Sequence, residues 1–212
     1  QTIDRLGGEV TVKELSMALN GGRVDDMNAL HEYLTLLNPS AILPLTDLLG
    51  TLEPMKIRRL LCESLAVLAK DHISLLVCRL QDPHWYVVRN VVYILGKIGD
   101  DRVIPHLKAV ARNPELRVRK ELVHMLSEMP NPEVGGILML TLEDEDPQIR
   151  VATLRAFVRI QHKPASGRIR ELMDGNEFLK KELSVPKVDF VTTRSLNPRL
   201  KPYIEKDLIT VF

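Results

Sequence analysis

Hydrophobic positions recur with helical spacing in one segment after another along this chain. The clearest segment is 83–98, where valine, isoleucine and leucine return every three or four residues between Asp82-Pro83 and Gly99. This spacing predicts an amphipathic helix with one apolar face. Asp82 is predicted to cap the helix, Pro83 suits its first position, and Gly99 favours its end. Because the same plan returns along the chain, the segment is one unit of a repeat array.

The periodicity predicts alternating long and short helices. The long helices are predicted at 26–37, 54–69, 83–97, 114–128 and 147–161. Each is followed by a short helix, at 39–49, 72–80, 102–111, 132–142 and about 165–173. Connections rich in Asp-Pro, Asn-Pro and glycine favour antiparallel neighbours. A helix pair of this length cannot bury its apolar face alone, so about five stacked pairs are predicted to form an all-α solenoid.

An apolar residue followed by arginine marks the period of the array. The arginines are Arg58, Arg89, Arg119 and Arg150, at spacings of 31, 30 and 31 residues. One interpretation is a basic stripe for an anionic ligand. The interpretation we favour is a structural ladder, in which each arginine bonds an acidic side chain or helix-end carbonyl of the adjoining repeat.

The chain is predicted to have three parts. Residues 1–23 form an N-terminal cap, 24–174 the repeat array, and 175–212 a non-repeat extension. Thr11 and Glu14 have the spacing of a capping box ahead of a short N-terminal helix. The extension is interrupted by prolines and contains two stretches that favour extended structure. Its role stays open between capping the array, binding a partner as a strand, and leading into a further domain.

The repeat plan resembles a known family. Asp-Pro, then Val-Arg, then small or apolar residues, then Leu-Gly-x-Ile-Gly-Asp is similar to the HEAT-like repeat of bacterial and archaeal proteins, which includes the phycobilin-lyase type. Residues 82–100 match it most closely, and the resemblance covers about 25–174. It implies a right-handed α-α superhelix whose long helices line a concave side. Such repeats serve many partners, so the motif indicates the fold and says little about function.

Composition narrows the function classes. The chain has 45% hydrophobic and 27% charged residues, which is a globular profile, and a net charge of +1 that predicts no bulk affinity for nucleic acid or membranes. Cys62 and Cys78 lie in apolar runs and are predicted to be buried thiols of a reducing compartment, so a cytoplasmic location is expected. No signal peptide or membrane-spanning run is evident. A chain that begins at Gln1 is consistent with a piece of a longer protein.

The sequence indicates no catalytic centre, metal site or cofactor. The six histidines include no His-x-x-x-His pair, and no Cys-x-x-Cys pair occurs, whereas a zinc site needs three or four converging ligands. The acidic run 143–146 is predicted to be a solvated turn and N-cap rather than an acid/base pair. Gly135-Gly136 lies in a predicted short helix and is expected to permit close packing.

Charges alternate in blocks. Segment 101–120 has six basic and two acidic residues, segment 121–147 has seven acidic residues and no Lys or Arg, and segment 148–170 has six basic residues and no acid. Blocks of both signs favour a protein partner over a continuous phosphate backbone. An ordinary solvated surface is the alternative.

We therefore expect a non-enzymatic scaffold that binds a protein or peptide partner through its concave face, either by itself or as a regulatory part of a larger protein. The alternatives are a nucleic-acid-binding HEAT-like protein of the DNA-repair type, and a chromophore-lyase or accessory subunit. The predicted core of the long helices is Ile57, Leu61, Val88, Val92, Leu95, Val118, Leu122, Ile149 and Leu154. The candidate partner-binding residues are Arg59, Glu63, Trp85, Asn90, Tyr93, Lys97, Lys120, His124 and Arg155.

Overall fold

A computed structural model describes residues 9–21, 24–129, 131 and 133–160. These residues form ten α-helices and no strand. The helices are α1 Glu9–Asn20, α2 Met27–Thr35, α3 Ile42–Leu48, α4 Met55–Leu68, α5 Ile73–Val77, α6 Trp85–Ile98, α7 Ile104–Val110, α8 Leu116–Glu128, α9 Val134–Thr141 and α10 Pro147–Ile160. Long and short helices alternate from α2 onward, as the periodicity predicts. The predicted short helix at 165–173 and the extension at 175–212 lie outside the described residues.

Asx turns set the start of several helices. The Asp82 carboxylate accepts a hydrogen bond from the His84 N–H at 2.9 Å, and α6 begins only after His84. The prediction that Asp82 caps a helix starting at Pro83 is therefore wrong. An aspartate that bonds the N–H two residues ahead holds the chain in a turn and delays the helix. In five other connections the backbone N–H two residues ahead donates to the side-chain oxygen at 3.0 Å or less. The acceptors are Asn38, Asp100, Asn113, Asn131 and Asp144.

Two other helix boundaries have opposite outcomes: one agrees with the sequence pattern and the other does not. Gly99 ends α6 as predicted, since it adopts a left-handed φ of 65° and its N–H bonds the Leu95 carbonyl at 3.0 Å. At the other end of the chain α1 begins at Glu9, so Thr11 lies inside the helix and cannot be the N-cap of a capping box. Several short helices are also completed by 3₁₀ turns, at Pro39–Ala41, Cys78–Gln81 and Asp101–Val103.

Burial follows the helical period closely. Each of the nine predicted core residues is at most 6% exposed, which confirms the apolar face assigned to the long helices. Cys62 is buried on α4, as predicted, and burial raises the pKa of its thiol to about 12. Cys78 is exposed, so its prediction is wrong: it opens a 3₁₀ turn, and its thiol donates to the Leu75 carbonyl at 3.0 Å. Gly136 is exposed, with no atom within 4 Å of an added Cβ, so close packing does not require it.

Contacts divide the chain into two units, residues 1–125 and 126–212. In the first unit, α2 packs against α4, α4 against α6, and the short helix α3 against α5. Gly96 brings α6 against α8, because a Cβ at Gly96 would lie 2.3 Å from Met125 Cγ. In the second unit, α9 packs against α10, and the buried hydroxyls of Thr141 and Thr153 are 2.8 Å apart. Helix pairs stacked through consecutive long helices confirm the α-solenoid fold class.

Candidate protein-interaction surface

Arg119 and Arg150 fasten the turn that leads into their own helix. Arg119 is only 6% exposed, and its Nη1 donates to the carbonyls of Asn113 at 2.8 Å and Pro114 at 3.1 Å. Arg150 Nη1 donates to the carbonyls of Asp144 at 2.7 Å and Glu145 at 3.0 Å. In both cases the acceptors lie six and five residues before the arginine. These residues therefore stabilise the connection between repeats by holding its backbone carbonyls.

Arg89 occupies a different position. The residue six places after the Asp82 turn is Val88, which is fully buried, and Arg89 comes one residue later. Its side chain is 48% exposed, and Nε donates to Glu121 Oε2 on α8 at 3.2 Å. Arg58 is partly buried on α4. The four arginines are thus not equivalent, and we revise the proposed ladder: Arg119 and Arg150 hold turns, while Arg89 bridges two long helices.

A second bridge between repeats was missed by the sequence analysis. Arg79 forms ion pairs with Asp47, on the preceding short helix, and with Asp82 at 3.0 Å. Burial opposes ionisation of Asp82, but hydrogen bonds from His84 and the charge of Arg79 lower its pKa below the usual value. No periodic motif contains Arg79, so its contact with Asp47 is visible only in the structure.

Four of the candidate binding residues lie together on adjacent helices. On α4, Arg59 Nε is 3.1 Å from Glu63 Oε1, and on α6 the Lys97 Nζ lies 5.5 Å from the centre of the Tyr93 ring. The hydrogen bond and charge of Glu63 raise the pKa of Arg59, and Tyr93 on the neighbouring helix adds to the rise. Arg59 and Lys97 are exposed, and Glu63 and Tyr93 are partly buried. The two helices thus form one continuous polar and aromatic patch.

The other candidates lie on α6, α8 and α10. Asn90 is partly buried one turn before Tyr93 on α6, and Lys120 and His124 are exposed on α8. Lys120 and His124 both take part in side-chain interactions of their own. Arg155 is exposed on α10, in the second unit. The helical spacing therefore keeps each of these residues out of the core.

Residues 42–127 match the family described as HEAT repeats. The matched stretch is similar to HEAT repeats and covers less than half of the chain. It contains α4, α6 and most of α8, the helices that carry the patch, and it agrees with the resemblance seen in the sequence. HEAT repeats form scaffolds that typically mediate protein interactions. No curated protein matches this sequence.

Two aromatic side chains at the start of α6 contact neighbouring repeats. The Tyr86 ring covers Gly50, where an added Cβ would lie 2.5 Å from Tyr86 Cε2. The guanidinium of Arg117 lies 4.6 Å from the centre of the Trp85 ring, a cation–π contact to the start of α8. Tyr86 is nevertheless 36% exposed and Trp85 is partly buried. Both side chains fill gaps between repeats and still present an edge to solvent.

One serine–histidine contact in the repeats has the residue types of a catalytic pair. His31 Nδ1 lies 2.8 Å from Ser64 Oγ, joining α2 to α4. The Ser64 hydroxyl is directed to the Leu60 carbonyl at 2.9 Å, and Ser64 is 1% exposed. The contact therefore satisfies polar groups between two packed helices. Among the described residues no group of three or more His, Cys, Asp or Glu could hold a metal ion, and no helix is long and apolar enough to cross a membrane.

Proposed function

We propose that this chain is a non-enzymatic HEAT-repeat scaffold that binds another protein across the exposed face of its long helices. This is the face that HEAT-like arrays turn to their concave side. The observation that carries the proposal is the patch of Arg59, Glu63, Tyr93 and Lys97 on the adjacent helices α4 and α6. Its role is that of a regulatory part of a larger protein.

The chemistry of the patch supports a protein partner. Tyrosine and arginine are enriched at the energetic centres of protein interfaces, because each combines a large contact area with directional polar groups. The Lys97 ammonium near the Tyr93 ring and the Glu63 carboxylate beside Arg59 restrict these side chains before binding. Restricted side chains lose less conformational entropy on association, which favours affinity.

A capture experiment tests the proposal. The tagged chain is used to capture proteins from an extract of its native organism, with and without the double change Tyr93→Ala and Lys120→Glu. We expect the double variant to lose capture while it still melts cooperatively near the original temperature, because neither side chain belongs to the core. A matched control is Met17→Ala with Lys108→Glu, which alters one exposed large side chain and one exposed lysine off the long HEAT helices.

Two results would overturn the proposal. Capture that survives the double change but is lost on deletion of residues 184–212 would assign binding to the C-terminal extension. Capture that depends on nucleic acid, and is abolished by nuclease treatment of the extract, would favour the nucleic-acid-binding alternative.

A further inference from the structure

The helix α2 has an exposed apolar stripe on the side opposite α4. His31 marks the side of α2 that faces α4, because its Nδ1 lies 2.8 Å from Ser64 Oγ. Ala29 and Tyr33 are each two residues from His31, about 200° around the helix, so they lie on the far side. Leu36 follows Ala29 by seven residues, about two turns, and lies on that side too. All three are exposed, and we refer to Ala29, Tyr33 and Leu36 as the end stripe.

The later long helices bury the position that Tyr33 occupies. Ser64, Leu95 and Leu126 follow Tyr33 at steps of 31 residues, and each is at most 1% exposed. Ser64 lies on α4, which packs against α2, and Leu95 lies on α6, which packs against α4. Tyr33, in contrast, is 37% exposed. The end stripe therefore has the position of a helix-packing surface but is open to solvent.

A single helix would fit beside the end stripe. The helices of the first unit form two rows. In one row α1 packs against α3 and α3 against α5, and in the other α2 packs against α4 and α4 against α6. Within residues 9–21 and 24–125, the first row has α1 ahead of α3, whereas the second row has no described helix ahead of α2. Because α1 already lies beside α3, one helix rather than a helix pair would extend this end.

The charged residues around the end stripe are acidic. Residues 24–38, which comprise α2 and its flanking turns, include Asp25, Asp26 and Glu32 and no lysine or arginine. All three acidic residues are exposed, and Glu32 directly precedes Tyr33. Charge complementarity across an interface selects partners and steers their encounter. The end stripe therefore favours a helix whose apolar face is flanked by lysine or arginine.

We propose that the end stripe binds one amphipathic helix of a partner protein, with an apolar face flanked by basic side chains. The helix packs beside α2 as α2 packs beside α4, with axes about 8–10 Å apart. Tyr33 and Leu36 contact its apolar face, and Glu32 pairs with a flanking basic side chain. A second copy of this chain docked through the same stripe would bring two acidic surfaces together, which is unfavourable. The end stripe is a second surface, separate from the patch on α4 and α6.

Fluorescence anisotropy with defined peptides tests the proposal on the full chain. The first probe is a labelled helical peptide of about 18 residues, with leucines on one face and lysines on its flanks. A second peptide has glutamate in place of lysine, and a third has serine in place of leucine. We expect the first peptide to bind at least about tenfold more tightly than the other two, because it alone combines apolar contact with complementary charge.

Substitutions in the end stripe locate the binding. We expect Tyr33→Ser with Leu36→Ser to weaken the leucine–lysine peptide by about tenfold or more, and Glu32→Gln by a smaller factor. The matched control, Met55→Ser with Val158→Ser, removes two exposed large side chains from α4 and α10 and should change binding less than about twofold. If the double variant no longer melts cooperatively, Leu36→Ser alone decides, because Leu36 is 79% exposed.

Three outcomes would overturn the proposal. The first is equal affinity for the lysine and glutamate peptides, and the second is an equal loss of binding in the end-stripe and control variants. The third is self-association of the chain in sedimentation velocity that Leu36→Ser abolishes, which would assign the end stripe to a second copy. Loss of peptide binding in the end-stripe variant alone, with a monomeric chain, would support the partner helix.

Discussion

Arg119 on α8 and Arg89 on α6 both follow a valine, yet they differ in environment. Arg119 is 6% exposed and holds two backbone carbonyls of a turn. The Arg89 side chain is 48% exposed and meets a carboxylate of the next long helix. Counted from the preceding Asx turn the two differ by one residue, and one residue rotates a side chain by about 100° around the helix.

The comparison shows that position around the helix, more than residue type, decides what a basic side chain contributes. On the inner side a guanidinium donates to backbone carbonyls of a turn, so its removal takes a charged hydrogen bond from each of them. On the outer side the same group forms an ion pair in contact with solvent, which contributes little to folding and remains accessible to a partner.

The largest expected effect concerns the two thiols, which differ in burial as Arg119 and Arg89 do. Cys62 is buried on α4, and Cys78 is exposed. Labelling of the native protein with a chromogenic disulfide reagent should modify Cys78 at least ~100-fold faster, because Cys62 reacts only after the structure opens. Cys78→Ser should remove the fast phase and Cys62→Ala the slow one. Similar rates for both thiols would contradict the burial pattern.

The thiol of Cys62 also gives a direction for the pH dependence of stability. Burial raises its pKa from 9.0 to about 12, so the folded protein retains a proton that the unfolded chain loses. This contribution to stability is complete below about pH 9 and declines as pH rises toward 12. Cys62→Ala should weaken the decline in the melting temperature over that range.

The sequence predicts the α-solenoid and its core well, because burial follows a local period. Ile57, Leu61 and Leu95 are assigned to the core from spacing alone, and all are buried. Helix boundaries are harder to predict from sequence. The Asp82 side chain can either cap a helix or form an Asx turn, and these two arrangements differ by a single hydrogen bond. The exposure of Cys78 also cannot be predicted from the sequence. A short 3₁₀ turn begins at this residue and changes which side chains face the core.

The candidate surface is predictable only in part. Helical spacing places Tyr93 and Lys97 outside the core, and the structure agrees. The contacts that join helices involve residues about one repeat apart, such as Arg89 with Glu121 and Arg79 with Asp47. The repeat spacing alternates between 30 and 31 residues. The sequence therefore leaves the position of each arginine around its helix uncertain by one residue, and only the burial seen in the structure decides it.

Arg119→Ala tests the inner position and should have the second-largest effect. We expect the free energy of unfolding to fall by about 1–3 kcal/mol, because two backbone carbonyls of the turn lose a charged donor. Arg119→Lys should recover part of the loss, since an ammonium can donate to one or both carbonyls. Arg150→Ala should cost less, because Arg150 is only partly buried. Denaturant unfolding followed by circular dichroism measures all three, and no loss in Arg119→Ala would exclude the turn-holding role.

The smallest expected effect is at Arg89, and a double-mutant cycle with Glu121 measures it. Arg89→Ala and Glu121→Ala should each reduce stability slightly, with a coupling of about 0.2–1 kcal/mol, as for other exposed ion pairs. The coupling should shrink further at about 1 M salt, where charges are screened over roughly 3 Å. A coupling well above this range that persists in salt would make the Arg89–Glu121 bridge structural. Arg89 would then be unavailable to a partner, and the outer side of α6 would resemble the inner side of α8.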